Sequence, residues 1–179
     1  EARRHGQAEK NIWGRLLFRS LVEQLLVFRQ IQSDPNPANY AFRDGGQLIL
    51  YDFGSIKELP DWLHKGYVDT VAACRAGRFD ELTTVLAALK VTLKNGEPVP
   101  YKHVQLFRDV LSPVFVERPY RFLPDRDPIK KIVAYNRENF NELKEITFPG
   151  DVLFIDRAII GLVGNLTALA AEANWSDEL

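Results

Sequence analysis

The spacing of apolar residues in the first part of the chain is helical. Apolar side chains recur every three to five positions from Ala8 to Ile31, with arginine and glutamate between them. This period predicts one long amphipathic helix. Pro35 and Pro37 remove two backbone donors and bias the residues before them to extended geometry. The sequence therefore predicts that Ser33–Asn39 is a loop of defined shape.

The pattern changes to that of short strands after this loop. Tyr40–Phe42 and Leu48–Tyr51 are two strand candidates, and the segment 43–47 between them carries Asp-Gly and Gly-Gly pairs that tolerate the positive φ of a hairpin turn. Antiparallel pairing brings the two ends of a hairpin together. We therefore expect Asn39 and Asp52, which flank the two strands, to lie side by side at the open end of the hairpin.

The rest of the chain, from Gly54 almost to its end, is predicted to be helical. Asp61, Asp127 and Asp151 are candidate N-caps, because an aspartate side chain can accept the free amides of a first turn. The predicted fold class is therefore α+β and mainly α, with one small β-hairpin. The predicted helices are Asp61–Arg75, Phe79–Ala88, Tyr101–Phe115, Asp127–Leu143 and Asp151–Asn174.

The composition is that of an ordinary soluble globular protein. The chain has 179 residues, of which 46% are apolar and 26% are charged, and its formal net charge is −1. This length predicts one domain over residues 1–179 with one hydrophobic core. The balanced charge gives no electrostatic reason to expect a nucleic-acid partner. A local basic cluster around residues 118–131 leaves contact with anionic lipid open.

Cysteine and hydrophobic-segment content bear on the compartment. Cys74 is the single cysteine, which excludes an internal disulfide and a cysteine metal cluster. The apolar segment Ala158–Ala171 has only about fourteen residues, so we interpret it as a buried helix and not as a membrane span. No signal peptide is visible at the start. The expected location is cytoplasmic, with peripheral contact to a membrane left open.

Three polar residues have the spacing of a phosphoryl-transfer site. Asn39 follows Asp34 by five positions, and Asp52-Phe53-Gly54 follows thirteen positions later. Phosphoryl transfer requires divalent cations on the phosphate oxygens and a carboxylate near the acceptor. In protein kinases the metal ligands are the Asp of an Asp-Phe-Gly motif and an Asn that lies five residues after the catalytic Asp. Asp34, Asn39 and Asp52 reproduce this arrangement.

The two motifs QSDPNPAN and LILYDFG together resemble the UbiB family of atypical, protein-kinase-like proteins associated with ubiquinone biosynthesis. The resemblance is strongest over Phe28–Leu59. It implies a protein-kinase-like C-terminal lobe, with Mg²⁺ and ATP as cofactors. It also implies that Asp34 is the catalytic carboxylate and that Asn39 and Asp52 bind Mg²⁺. Phe53 and Gly54 are then further residues of the cofactor site, and Phe53 packs under it.

The chain departs from this family in lacking the residues of an N-terminal lobe. The phosphate-contacting lysine, the alanine-rich loop and the Lys-x-Gly-Gln motif of the family are not found in it. The chain also begins at Glu1 and contains no methionine, so we expect it to be a piece of a longer protein, and the resemblance implies that this piece is the C-terminal lobe. The N-terminal lobe is then a missing partner, and the chain alone is expected neither to bind ATP tightly nor to turn it over.

The segment after Asp52 bears on the substrate. Only about eight residues separate Asp52 from the next predicted helix, and they contain no Ala-Pro-Glu motif of a peptide-docking platform. A small molecule or a lipid as acceptor, or simple ATP hydrolysis, is therefore favoured over protein phosphorylation.

Two other functions and one structural interpretation stay open. A catalytically inactive pseudokinase scaffold would retain the same residues. A small-molecule phosphotransferase of the aminoglycoside or choline type shares the three residues, but its catalytic loop usually begins with His-x-Asp, where Gln32 stands here. Taken singly, Asp34 before Pro35 suits a turn and Asn39 suits a loop end. Only their joint order and spacing favour a site.

Overall fold

The structure, a computed structural model, describes residues 4–43 and 46–179. Within these residues helices dominate and the short strands pair antiparallel, so the fold is α+β and mainly α, as the sequence predicts. The helices are α1 (Gln7–Glu23), α2 (Asp61–Arg75), α3 (Leu82–Ala88), α4 (Tyr101–Val116), α5 (Pro128–Glu138), α6 (Phe140–Leu143) and α7 (Gly150–Leu169). The strands are β1 (Gln30–Gln32), β2 (Tyr40–Arg43), β3 (Gln47–Leu50), β4 (Ile56–Glu58), β5 (Thr92–Leu93), β6 (Tyr120–Arg121), β7 (Ile146–Thr147) and β8 (Glu172–Ala173).

The first helix ends earlier than its apolar period predicts. A π-helical turn, Gln24–Phe28, follows α1, and Arg29 then takes a left-handed conformation with φ 55°. The chain leaves the helix there and enters β1, which pairs antiparallel with β4. The prediction of a helix to Ile31 is therefore wrong at its end. Its cause is tertiary, because the strand partner lies more than twenty residues downstream.

Strands β2 and β3 lie close to their predicted bounds and pair antiparallel, with Tyr40 opposite Leu50 and Arg43 opposite Gln47. The predicted turn residues Asp44 and Gly45 lie outside the described residues. At the open end of the pair, the Tyr51 amide donates to the Asn39 carbonyl over 2.8 Å. Asn39 is thus opposite Tyr51, and Asp52 is one residue farther along.

The start of α5 follows the capping prediction, whereas the starts of α2 and α7 do not. The Asp127 carboxylate accepts a hydrogen bond from the Ile129 amide over 2.9 Å. Pro60 and Pro149 occupy the cap positions of α2 and α7. Asp61 and Asp151 instead form ion pairs with Arg29 and Lys57. The predicted helix 127–143 is also divided into α5 and α6 at Asn139, whose side chain bonds back to the Tyr135 carbonyl.

Helix α7 is the element that joins the two parts of the core. Its first half contributes to one cluster of buried apolar side chains and its second half to the other, which also contains Phe122 and the fully buried Trp175. Helix α1 packs closely against it, because a side chain at Gly14 would lie 3.3 Å from the Leu166 side chain of α7 and would overlap Ala171 just after the helix. This packing holds α7 in one orientation, and one of its faces lies against the loop between β1 and β2.

Helix α7 is longer than the apolar segment Ala158–Ala171 from which the sequence predicts a helix too short to span a membrane. It has 20 residues, and by length and composition alone it could cross a membrane. Seven of its residues are buried inside the protein, so the rest of the described chain covers it only in part. Among the described residues it is the one helix that passes this test.

Candidate functional site

The loop between β1 and β2 is anchored to the segment that follows Asp52. Ser33 is buried, and its amide donates to the Ser55 carbonyl over 3.0 Å. The Asn36 side chain caps the short 3₁₀ turn Pro37–Asn39 by accepting the Ala38 amide over 3.0 Å. The loop therefore has the defined shape that its prolines predict.

Asp34 and Asn39 touch each other across this loop. The Asn39 amide nitrogen donates to Asp34 Oδ2 over 2.9 Å and to the Asp34 carbonyl over 3.3 Å. The Asp34 side chain remains about one-third exposed. With its amide nitrogen so engaged, Asn39 has its Oδ1 atom available as a ligand for a cation.

Asp52 stands in a strained turn at the end of β3. Its φ is 56°, a left-handed conformation that aspartate tolerates better than most residues. Its Oδ1 atom accepts the Gly54 amide over 2.9 Å. A side chain at Gly54 would come within 3.0 Å of the same oxygen, so the glycine permits the close approach. The Asp52 side chain is exposed, and within residues 4–43 and 46–179 only its Oδ1 atom accepts a hydrogen bond.

Gln32 connects the two acidic segments. Its Oε1 atom accepts the Asp34 amide over 2.9 Å, and its Nε2 atom donates to the Asp52 carbonyl over 3.1 Å. Its own amide donates to Gln24 Oε1 over 2.8 Å, which ties the site to the end of the first helix. Sequence analysis treats Gln32 only as a departure from His-x-Asp. Its bridging role depends on the β1–β4 pairing, which the sequence did not reveal.

Phe53 lies differently from the expectation that it packs under the site. Its side chain is 60% exposed among the described residues. The left-handed turn at Asp52 redirects the chain just before it, and β4 does not begin until Ile56. The position of Phe53 therefore gives no support to a packing role within this chain.

Helix α7 borders the loop on its other side, which sequence analysis missed. Asn165 Nδ2 donates to the Pro35 carbonyl over 3.2 Å. Gly161, one turn earlier, lies against the Pro35 ring. Arg157, one turn earlier again, places its guanidinium 3.9 Å from Asp34 Oδ1. The spacing of these three residues at i, i+4 and i+8 in an apolar helix is a signal that could have found them.

Two groups near the site have shifted pKa values. Burial, and then the charge of Asp34, raise the pKa of Tyr40. Burial raises the pKa of Asp156 to about 6, although the Tyr67 hydroxyl, which donates to Asp156 Oδ1 over 3.3 Å, partly offsets it. Asp156 directly precedes Arg157 on α7 but faces α2. It is therefore a structural carboxyl and not a group of the loop.

The oxygen donors of the site fit Mg²⁺. This ion prefers hard oxygen ligands and is usually held by one or two carboxylates, with phosphates and water completing its shell. Asp52 and Asn39 provide one carboxylate and one amide oxygen, and Asp34 provides a second carboxylate. Over residues 4–43 and 46–179 no group of three or more His, Cys, Asp or Glu side chains is placed to hold a metal. The arrangement thus suits a cation that arrives with a phosphate, not one caged by protein alone.

A large cavity of the described chain lies beside this site and does not include its acidic residues. It is an open space of about 1230 Å³ between α1, the β2–β3 pair and α7. Trp13 and Phe42 stack in its wall with ring centroids 4.7 Å apart. Asn165 lies at its border. Asp34, Asn39 and Asp52 therefore lie at a surface edge of the fold and do not line this cavity.

The basic cluster that left lipid contact open is mostly engaged within the chain. Arg118 pairs with Asp177 over 3.0 Å, and Arg126 pairs with Glu117 over 2.6 Å. Lys130 donates to the Pro124 carbonyl over 3.1 Å. These contacts reduce the charge that the cluster offers to a partner.

Comparisons with known proteins match the first part of the chain, which contains the site, and for one relative they extend over most of the chain. Residues 1–85 match the family model described as the ABC1 atypical kinase-like domain. The Arabidopsis thaliana protein named ACTIVITY OF BC1 COMPLEX KINASE 8, chloroplastic, is 27% identical over 96 residues, which cover 52% of this chain and 13% of the relative. The uncharacterized Synechocystis protein sll1770 is 31% identical over 168 residues, which cover 88% of this chain and 26% of the relative.

A solved structure shares the fold over the whole chain. The structure of the Mycobacterium tuberculosis protein Rv3197 in complex with erythromycin superposes with a TM-score of 0.69, covering 99% of this chain and 44% of that one. The two sequences are only 14% identical, so this likeness concerns the fold alone. The chain spans only 13% to 26% of the length of the curated relatives that it matches.

Proposed function

We propose that the chain is the C-terminal lobe of an atypical kinase or ATPase of the UbiB type, which uses Mg-ATP in phosphoryl transfer or hydrolysis linked to quinone or lipid metabolism. The observation that carries this proposal is the connection of Asp34, Asn39 and Asp52 through hydrogen bonds of 2.9 to 3.3 Å and through the Gln32 side chain. The match of residues 1–85 to a kinase-like domain supports it.

Each residue has a role that its contacts suit. In this proposal Asp34 accepts or orients the proton of an acceptor hydroxyl or of water. Its Oδ2 atom accepts a hydrogen bond from Asn39, and its Oδ1 atom lies on the side of Arg157. Asn39 Oδ1 and the Asp52 carboxylate are the oxygens that would hold the cation, and bound Mg²⁺ would neutralise charge on the phosphate oxygens.

The proposed site is one side of a nucleotide cleft. Its acidic residues lie at an exposed edge, and Phe53 is uncovered. A second lobe that covers the nucleotide would complete it, and the short coverage of the relatives is in keeping with such a lobe. The segment between Asp52 and α2 contains only β4 and a short connection, which favours a small molecule, a lipid or water as acceptor over a peptide.

The test is ATP consumption by the full-length protein in the presence of Mg²⁺. Asp34→Asn removes the proton acceptor while retaining its size, so we expect turnover to fall by about 10² to 10⁴, as is usual for loss of a general base. Asp69→Asn, which removes an exposed carboxylate on α2 paired with Lys65, is the control and should be unchanged. Equal turnover in the two variants would exclude the role of Asp34. A full-length protein that folds but consumes no ATP with any acceptor would favour the pseudokinase scaffold.

A further inference from the structure

Helix α7 contacts the loop of Asp34 through two residues with no role in the proposed chemistry. Gly161 and Asn165 both meet Pro35, the residue that follows Asp34. They lie one helical turn apart and share a face of α7. The same helix is packed into both parts of the core, so it is a fixed surface for the loop.

The contact at Gly161 is too close for any side chain. A Cβ atom at this position would overlap the Cβ and Cγ atoms of Pro35 and would lie 3.3 Å from its Cα atom. The proline ring is rigid and has no alternative rotamer that moves it away, so the loop itself would have to shift. Gly164, three residues later on the same helix, has no atom within 4 Å of its corresponding position. Gly164 is therefore a matched control for Gly161, because both lie on α7 but only Gly161 contacts Pro35.

The contact at Asn165 fixes the backbone of the same proline. Pro35 has no amide hydrogen, so its carbonyl is the one main-chain group that it can use in a hydrogen bond. Asn165 Nδ2 donates to that carbonyl over 3.2 Å. Ring and carbonyl are therefore both held from one side by α7.

We propose that Gly161 and Asn165 are positioning residues, which set the place of the Asp34 carboxylate by holding Pro35 against α7. They keep Asp34 within hydrogen-bond distance of Asn39 Nδ2. Because Nδ2 then donates to Asp34, the Oδ1 atom of Asn39 is available for a cation. Neither residue touches a reacting group. The consequence for turnover rests on the proposed function, whereas the consequence for loop order does not.

The first measurement is hydrogen–deuterium exchange by mass spectrometry on the full-length protein, in peptides that cover residues 33–43. Their amides include Asp34, Ala38 and Asn39, each of which donates within the site. We expect Gly161→Ala to speed this exchange about tenfold, since the loss of one hydrogen bond changes a local opening equilibrium by about that factor. Gly164→Ala should leave it unchanged, and peptides of α2 should not respond to either change.

Asn165→Asp is the second variant, because it removes the donor without changing size and keeps the test valid if Gly161→Ala does not fold. It should speed exchange in the same peptides, while Asn165→Gln, which keeps an amide donor, should restore part of the protection. Unchanged exchange in both Gly161→Ala and Asn165→Asp would overturn the proposal, whatever the protein catalyses.

The second measurement is the steady-state rate of ATP consumption. We expect Gly161→Ala to lower kcat by roughly tenfold to a hundredfold with little change in the KM for ATP, because a shift of about 1 Å in a catalytic group has that cost. Gly164→Ala should keep the wild-type values. Faster exchange with an unchanged kcat would overturn the claim that α7 positions Asp34 for chemistry. If the wild-type protein consumes no ATP but the variants still exchange faster, the loop contact is supported and the proposed function is contradicted.

Discussion

The ionised form of the Asp156 carboxyl is disfavoured in the folded protein, because the side chain is buried. It lies between α7 and α2, where burial raises its pKa from the ordinary 3.8 to about 6. A carboxyl with a raised pKa in the folded state adds stability below its unfolded pKa, and that stability is lost as the pH rises through about 6. The shift of about two pKa units corresponds to roughly 3 kcal/mol between those limits.

We therefore expect Asp156→Asn to stabilise the protein increasingly as the pH rises. The asparagine keeps an acceptor for the Tyr67 hydroxyl and cannot ionise. The difference in free energy of unfolding between the variant and the wild type should grow by about 1.4 kcal/mol from pH 5 to pH 8. Urea denaturation at both pH values measures it. Parallel curves for the two proteins would show that Asp156 ionises without cost.

The residues of the site were only partly predictable from sequence. Asp34, Asn39 and Asp52 were identified because their spacing along the chain is itself the signal. Gln32 and Asn165 bind the same loop, but their partners depend on the β1–β4 pair and on the crossing of α7. Side chains whose roles are created by distant contacts leave no local pattern in a single sequence.

Among the elements, α2 matches its predicted bounds, whereas the first helix does not. The apolar and polar positions of Asp61–Arg75 have a regular period and are bounded by Pro60 and Gly77, so local signals suffice. The segment Gln24–Gln32 also continues an apolar pattern, yet it becomes a π-helical turn and a strand. Pairing with β4 competes there with helix propensity, and it prevails because it fixes Ser33 and the loop beyond.

The three aspartates at helix starts provide a stability test at this scale. Asp127 accepts the Ile129 amide at the start of α5, so Asp127→Ala should cost about 1 kcal/mol of unfolding free energy. Asp61 makes no cap and forms an exposed ion pair with Arg29, which solvent screens, so Asp61→Ala should cost clearly less than Asp127→Ala. Chemical denaturation of the two variants gives the comparison. Equal losses would show that the Asp127 contact does not act as a cap.

At the scale of the whole molecule, the chain places acidic residues at an edge and a core helix behind them. The π-helical turn after α1, through Gln24, supports the site from one side, and α7 supports it from the other. The α+β, mainly helical character was predictable from the periods of the sequence. The way in which α7 joins two buried clusters was not, because it depends on contacts between segments more than a hundred residues apart.

The central claim is that Asp52 and Asn39 hold the Mg²⁺ of a phosphoryl-transfer site, and a Mg²⁺ titration of ATP turnover tests it most directly. The full-length protein and its Asp52→Asn variant are compared at saturating ATP, with Asp69→Asn as the control. Turnover should rise with Mg²⁺ in the wild type and the control, and should fall at least about a hundredfold in Asp52→Asn, since metal stabilisation is worth several kcal/mol. The same Mg²⁺ dependence and rate in Asp52→Asn would contradict the assignment of the site.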